Sequence, residues 1–226
     1  MGNNLKFTYS FSTVPAEISS GLDVVTDDQT VQVDSFDGPQ LVTLPGLQET
    51  PIPVYFTMLT SMFMHGGVMH LLGNMWFLWI FGDNIENDLG RARYLVFYLL
   101  TGIVASLAHV LPILTGPSSM IPGLGASGAI SGVMGAYLVL HSRRRVTILV
   151  MRTVTEVPGF VAVGLWFLFQ IISSVGVLGG AGGGVAYGAH IGGFLAGVVF
   201  AKPIMFGREN SRPGTWRDPP RTNRMV

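Results

Sequence analysis

One serine in this chain occupies a position where its hydroxyl could act as a nucleophile. Ser127 lies in the run Gly125-Ala126-Ser127-Gly128, directly before an apolar stretch that predicts a helix. The first turn of a helix carries unpaired N–H groups and the positive end of the helix dipole, which stabilise negative charge beside the hydroxyl. The same pattern is typical of a serine that caps its helix, or of small residues that allow close packing. Both interpretations stay open for Ser127 alone.

Three further polar side chains interrupt apolar stretches elsewhere. His70 and Asn74 are four residues apart, so they share one face of a predicted helix, and His190 lies in a glycine-rich apolar run. Each could instead be a core residue with a satisfied hydrogen bond. Acyl transfer would use Ser127 as nucleophile and His190 as general base. His70 and Asn74, with the backbone N–H of Ser127, would supply donors to the oxyanion.

A carboxylate that could orient His190 is missing from the surrounding sequence. Between residues 89 and 208 the only acidic side chain is Glu156, next to a cluster of basic residues. The sequence therefore predicts a Ser–His dyad rather than a triad. Glycines spaced four residues apart, beginning at Gly128 and at Gly193, would let two helices approach closely enough for the dyad to form.

Composition indicates a polytopic membrane protein with an all-α fold, a bundle of transmembrane helices. Hydrophobic residues make up 49% of the 226-residue chain and charged residues 12%, with 30 glycines. The chain has no cysteine, which excludes disulfides, thiol catalysis and thiolate metal sites. We expect neither a cofactor nor a metal, and the net charge of zero gives no case for binding nucleic acid.

Hydropathy divides the chain into three parts. Residues 1–53 are predicted to be an extracytoplasmic segment, 54–205 a membrane domain, and 206–226 a disordered cytoplasmic tail. The membrane domain is predicted to contain five spans, at about 67–84, 94–115, 126–141, 159–178 and 185–201. Two interrupted apolar pieces, at 54–64 and 147–158, are expected to lie at the membrane interface.

The distribution of basic residues predicts the orientation in the membrane. Apart from Lys6, all twelve lie in the 90–93 loop, in the 142–152 loop or from Lys202 onward, and alternating spans place these three regions on one side. Short loops rich in Lys and Arg face the cytoplasm. The N-terminus is therefore expected outside and the C-terminus inside, with all four candidate groups at a similar depth on the outer side.

In combination and order, these motifs resemble the rhomboid intramembrane serine proteases. The resemblance covers about residues 59–201. It rests on the His-x-x-x-Asn pattern at His70 and Asn74, the Gly-x-Ser-Gly pattern from Gly125 to Gly128, and the glycine-rich helix around His190. It implies that Ser127 and His190 form the catalytic dyad and that His70 and Asn74 line the oxyanion hole. The implied substrates are single-pass transmembrane proteins, cut near the outer end of their helix, in what we expect to be a prokaryotic cell membrane.

The chain departs from the family pattern in two places. Family cores have six spans, and the span that precedes the long first loop is missing from the five predicted here. The family also often carries a tyrosine, four residues after the serine, that stacks on the histidine. Ser131 occupies that position here, and Tyr187 is the candidate replacement.

Two other functions remain open at this point. One is a rhomboid-like protein that binds membrane helices without cutting them, or an inactive truncated form, although such binders typically lose the serine or the histidine. The other is a small transporter with His70, His109 and His190 as a proton path. Against it, the sequence shows no intramembrane carboxylate and no visible inverted repeat.

Overall fold

The computed structural model describes residues 2–35, 38–150, 153–174 and 186–207. Helices dominate these ranges, and two antiparallel hairpins accompany them. The helices are α1 (Gly2–Ser10), α2 (Pro15–Ser20), α3 (Thr57–Thr60), α4 (Val68–Phe77), α5 (Asp83–Leu89), α6 (Arg91–Val110), α7 (Ser127–His141), α8 (Gly159–Ser174) and α9 (Tyr187–Ile204). The strands are β1 (Gln29–Ser35), β2 (Gly38–Leu44), β3 (Arg145–Val150) and β4 (Thr153–Pro158).

Two hairpins that the prediction of an all-α fold did not include accompany the helical bundle. β1 pairs with β2 from Gln29↔Leu44 onward, and β3 pairs with β4 from Arg145↔Pro158 onward. Most of these strands are rich in Val, Ile and Thr, whose branched β-carbons fit a pleated surface better than a helix. The segment 147–158, for which hydropathy predicts an interfacial position, thus forms most of the second hairpin.

The first predicted span is helical from Val68 onward but not uniform. α4 continues through a π-helical segment, Leu78–Gly82, into α5, so helical residues run without a break from 68 to 89. Ahead of this helix, α3 is flanked by the 3₁₀ turns Val54–Phe56 and Ser61–Phe63. The predicted interfacial piece at 54–64 is therefore a compact series of short helical turns.

Helix α7 forms the centre of the bundle. All its residues from Gly128 to Tyr137 are buried, and it packs between α6 and α9. α6 runs antiparallel to α7, so that Ala105 faces Gly128 and Thr101 faces Gly132. α9 runs parallel to α7, which places the first turns of both helices at the same end of the bundle.

Polar contacts connect the helices at the opposite end of the bundle, where α7 and α9 end. The His141 Nε2 and Asp88 Oδ2 atoms are 2.6 Å apart, and Arg93 donates a hydrogen bond of 3.2 Å to the carbonyl of Ile204. The β3–β4 hairpin lies at this end, because the Gly159 N–H donates to the Arg144 carbonyl at 2.7 Å. The hairpin and the start of α7 are therefore at opposite ends of the bundle.

Length and hydropathy sufficient to cross a membrane occur in one helical stretch of the described residues, Arg91–Ile113. The apolar helices Val54–Phe63, Ser127–His141 and Gly159–Ile172 are shorter. The predicted number of five spans therefore stays a prediction, as do the boundaries of the three predicted parts of the chain. Of the predicted disordered tail, 206–226, the residues from 208 onward lie outside the described residues, as does the glycine-rich loop at 179–184.

Candidate active site

Ser127 and His190 are in hydrogen-bond contact. Ser127 is the first residue of α7 and His190 lies in the first turn of α9. The Ser127 Oγ and His190 Nε2 atoms are 2.9 Å apart, although 63 residues separate them in the chain. The N-cap position of α7 is Ala126, so Ser127, the first helical residue, does not occupy the capping position. This geometry suits the transfer of a proton from the serine to the histidine.

Close contact between α7 and α9 keeps this pair together. A β-carbon added at Gly193 would overlap the carbonyl oxygen of Gly128, and one added at Gly197 would overlap that of Gly132. Two glycines spaced by four residues on α9 thus fit against two with the same spacing on α7. This is the close approach that small residues permit between membrane helices.

Helix α8 contacts the far side of the His190 ring. The Gln170 Oε1 atom is 2.7 Å from His190 Nδ1, and the Gln170 side chain is buried. The Trp166 ring lies one turn earlier, with its centroid 6.0 Å from that of His190. Tyr187 lies edge-on to the same imidazole at 6.4 Å. Trp166 and Tyr187 thus supply the aromatic contacts on the histidine.

Ser131, at the position where the family often has a tyrosine, does not contact His190. Its hydroxyl donates a hydrogen bond of 2.6 Å to the carbonyl of Ser127, one turn earlier on α7, and its side chain is buried. Tyr187 was the replacement that the sequence offered, and the structure places it beside the ring. Trp166 is an additional aromatic neighbour that the sequence did not single out.

The two candidate oxyanion donors differ in their surroundings. His70 is exposed, and its imidazole lies against Gly125, two residues before Ser127. Asn74 is buried, and its Nδ2 donates to the backbone carbonyl of His70 at 3.0 Å. An amide nitrogen carries two N–H groups, so this bond leaves Asn74 one further donor. The His70 imidazole therefore lies close to the turn before the serine, whereas the Asn74 amide is bonded to the backbone of its own helix, one turn earlier.

Gly125 needs the backbone freedom of glycine. Its φ of +117° lies in a region that other residues rarely adopt, and an added β-carbon would come within 2.9 Å of two atoms of the His70 ring. Its N–H donates to the carbonyl of Ser61 at 2.8 Å. In the Gly-x-Ser-Gly pattern, Gly125 thus adopts the turn conformation, and Gly128 lets α7 pack closely against its neighbouring helices.

The N-terminal segment is bonded to the loop that leads to Ser127. The backbones of Thr13 and Gly123 exchange two hydrogen bonds, of 2.9 and 2.8 Å. The Thr13 hydroxyl donates to Ser61 Oγ at 3.0 Å, and the Ser61 carbonyl accepts from Gly125. Thr13 and Ser61 are both buried. A continuous set of hydrogen bonds therefore connects the first 13 residues with the turn before the serine.

A buried carboxyl group lies elsewhere in the N-terminal segment. Glu17 is 1% exposed; its Oε1 accepts a hydrogen bond of 3.2 Å from the N–H of Val24. Its Oε2 has no partner among the described residues. Burial, which disfavours the charged form, is the largest influence and raises the pKa of Glu17 to about 7.

Sequence reasoning missed Gln170, because it searched for a carboxylate to orient His190 and not for a neutral acceptor. A signal was present: Gln170 is a polar residue inside the apolar helix Gly159–Ser174. Polar side chains at such positions face the interior of the bundle and find partners there. The part of the chain described by the structure contains no group of three His, Cys, Asp or Glu side chains that could hold a metal ion.

Comparison with known proteins identifies the family. Residues 53–206 match the family described as Rhomboid domain. Rhomboid protease GluP of Bacillus subtilis is 34% identical over 154 residues, which are 66% of this chain and 27% of that protein. Rhomboid protein 1, mitochondrial, of Saccharomyces cerevisiae is 31% identical over 169 residues, or 74% of this chain and 46% of that protein. Human presenilin-associated rhomboid-like protein, mitochondrial, is 30% identical over 178 residues, which are 74% of this chain and 44% of that protein.

The molecule is a helical membrane protein, the class that this domain implies. The chain belongs to the rhomboid family, as its motifs predict. It spans less than half the length of each of these relatives. Two of the three are mitochondrial, which conflicts with the prediction of a prokaryotic cell membrane, while the third is bacterial.

Proposed function

We propose that this chain is an intramembrane serine endopeptidase in which Ser127 is the nucleophile and His190 its general base. The observation that carries the proposal is the 2.9 Å contact between Ser127 Oγ and His190 Nε2. This contact joins two residues from separate helices of an apolar bundle. A family that includes a protease by name, Rhomboid protease GluP, supports the same chemistry.

The reaction would follow the acyl-enzyme route. Ser127 Oγ attacks the carbonyl carbon of the scissile peptide bond while His190 Nε2 takes the hydroxyl proton. The oxyanion would be stabilised by the N–H of Ser127 at the start of α7, by the His70 imidazole beside it and by the free donor of Asn74. The tetrahedral intermediate collapses as His190 gives the proton to the leaving amine. Water, deprotonated by His190, then attacks the acyl-enzyme, and collapse of that second intermediate restores the serine.

The proposed substrates are single-pass transmembrane proteins of the same bilayer. Ser127 and His190 lie at the end of the bundle that carries the N-terminal segment, which is bonded to the loop before Ser127. A helix cut at this depth would be cut close to its own end. The basic loops favour an N-terminus outside and a C-terminus in the cytoplasm or the equivalent compartment. The chemistry uses protein side chains and needs neither a cofactor nor a metal.

The test is covalent labelling of the full chain in liposomes by a fluorophosphonate probe, together with cleavage of a co-reconstituted transmembrane substrate. Wild type should be labelled and should cut, whereas Ser127→Ala and His190→Ala should do neither. Ser106→Ala is the matched control, because this serine lies on α6, where its hydroxyl contacts the Met58 carbonyl. It should be labelled like wild type.

Two results would contradict the protease. Cleavage that persists in Ser127→Ala would assign the chemistry to other residues. A wild-type chain that binds the substrate helix but neither takes the probe nor cuts would instead identify a binder of membrane helices.

A further inference from the structure

Gln170 is a polar side chain in an environment that strongly selects against polarity. It lies in α8, where every residue from Gly159 to Ile172 except Gln170 is apolar. Its side chain is 6% exposed, and its Oε1 atom is 2.7 Å from His190 Nδ1. A buried amide without a partner would be costly, so this contact accounts for its presence there.

The contact joins the acceptor oxygen of Gln170 to one of the two ring nitrogens of His190. A carboxamide oxygen accepts hydrogen bonds and cannot donate, so His190 Nδ1 must carry the hydrogen that lies between the two side chains. In the neutral imidazole the other nitrogen, Nε2, then has a free lone pair. That lone pair lies 2.9 Å from the Ser127 hydroxyl. With the proton on Nδ1, His190 is in the tautomer that can accept the serine proton.

Helix α8 also fixes the orientation of the imidazole ring. Trp166, one turn before Gln170, contacts both His190 and Phe194, with ring centroids 6.0 and 6.3 Å away. Phe167 stacks on Phe194 at 4.1 Å, which locks α8 against α9. The amide and the indole therefore approach the ring from one rigid element.

The sequence on either side of Gln170 and His190 offers no carboxylate for this role. Glu156, the only acidic side chain between residues 89 and 208, pairs with Arg145 at 3.6 Å in the second hairpin. That hairpin lies at the end of α8 remote from Gln170. A neutral amide makes the orienting bond without burying a charge in the bundle, where an ionised carboxylate would be expensive.

We propose that Gln170 is a positioning residue that completes a Ser127–His190–Gln170 relay by holding His190 in the tautomer and orientation required of a general base. This inference rests on the proposed function of Ser127 and His190. It adds a residue that acts through His190 and does not itself touch the substrate.

The test compares Gln170→Leu, which removes the acceptor, with Gln170→Glu, which keeps an acceptor oxygen at the same reach. Phe169→Leu, at the exposed neighbouring position, is the control. Loss of the bond should lower kcat and the rate of fluorophosphonate labelling in Gln170→Leu by roughly 10- to 100-fold, with KM unchanged. Gln170→Glu should stay closer to wild type. A purely packing role predicts the opposite order, because a buried carboxyl fits an apolar site worse than leucine.

A second measurement is independent of activity. Nitrogen-15 NMR of labelled histidine, with His190→Gln to assign the signals, should show His190 protonated on Nδ1 in wild type. This result is decisive even if Gln170→Leu fails to fold. A wild-type His190 protonated on Nε2, or equal labelling rates for Gln170→Leu and wild type, would overturn the role of Gln170 while leaving the protease intact. A wild type that is not labelled at all would instead contradict the proposed function, and the relay with it.

Discussion

Gly193 of α9 lies against the carbonyl oxygen of Gly128 in α7, with no room between them for a β-carbon. Gly128 directly follows Ser127, and Gly193 is one helical turn after His190. The backbone contact between the two glycines therefore sets the distance between the two side chains that we propose to be catalytic. Any side chain inserted here would push the hydroxyl and the imidazole apart.

We expect Gly193→Ala to destabilise the bundle by about 1–3 kcal/mol, the usual cost of overpacking a close-packed contact, and to lower cleavage more strongly than binding of substrate. Gly164→Ala is the matched control, because a β-carbon at Gly164 in α8 would meet no atom within 4 Å. Thermal unfolding in detergent and cleavage in liposomes check both. Equal behaviour of the two variants would show that the α7–α9 distance does not limit the reaction.

Asn74→Ala separates two roles of this amide. If Asn74 donates a hydrogen bond to the oxyanion, its removal should lower kcat by roughly 100- to 1000-fold, because one donor is lost while the others remain. Asn84→Ala is the control, since Asn84 donates the same type of bond to the carbonyl four residues earlier, that of Ile80, at 3.2 Å. If both variants cleave at the wild-type rate, Asn74 contributes only its hydrogen bond to the His70 carbonyl and is not an oxyanion donor.

Thr13→Val tests whether the N-terminal segment restrains the loop before the serine. The substitution keeps the shape of the side chain but removes the hydroxyl that donates to Ser61. Loss of one buried hydrogen bond costs about 0.5–1.5 kcal/mol, so the Gly123 and Gly125 amides should exchange with deuterium a few times faster. Thr13→Ser should restore the wild-type rate. Unchanged exchange in Thr13→Val would show that this hydroxyl does not restrain the turn.

Glu17 should make the stability of the N-terminal segment depend on pH. Its pKa rises in the folded chain from the ordinary 4.5 to about 7, so folding favours the neutral form. The stabilisation is fully present below pH 4.5 and is lost as pH rises through 7. Amide exchange at Gly21 and Val24, corrected for its intrinsic pH dependence, should therefore show local opening increasing over this range. Glu17→Gln should flatten the profile, whereas Glu49→Gln, at an exposed position, should leave it unchanged; a flat wild-type profile would contradict the shift.

The orientation can be tested with the two hairpins. The chain has no cysteine, so a single one can be introduced at Thr30 in β1 or at Thr153 in β4, both exposed threonines. An impermeant thiol reagent applied to intact cells should label Thr30→Cys and not Thr153→Cys. Permeabilised cells, in which both should react, provide the control. Labelling of Thr153→Cys alone in intact cells would reverse the proposed orientation.

The family was predictable because its motifs depend on residue type and order, which the sequence carries directly. The comparisons confirm that prediction. The glycine spacing on α7 and α9 was equally visible, since small residues four apart leave a periodic trace. The roles of Ser127 and His190 remain predictions, because contact geometry does not measure reactivity.

Other features depend on contacts that leave no periodic trace. Gln170 is one glutamine in an apolar helix, and its partner is 20 residues away. The β3–β4 hairpin was not predicted because Arg152 and Glu156 interrupt the apolar pattern of residues 147–158. Glu156 pairs with Arg145 across the exposed hairpin. The bond from Asn74 to His70 involves a backbone carbonyl, which no pattern of side chains reveals.

Because Ser127 precedes His190 in the chain, the serine is synthesised before the histidine. The serine leaves the ribosome 63 residues before the histidine. At roughly 5–20 residues per second, this interval lasts about 3–13 s. During that time α7 can enter the membrane with its hydroxyl in place but with no base beside it. In the mechanism that we propose, the nascent protein therefore cannot cut neighbouring helices until α9 has inserted and its glycines pack against α7.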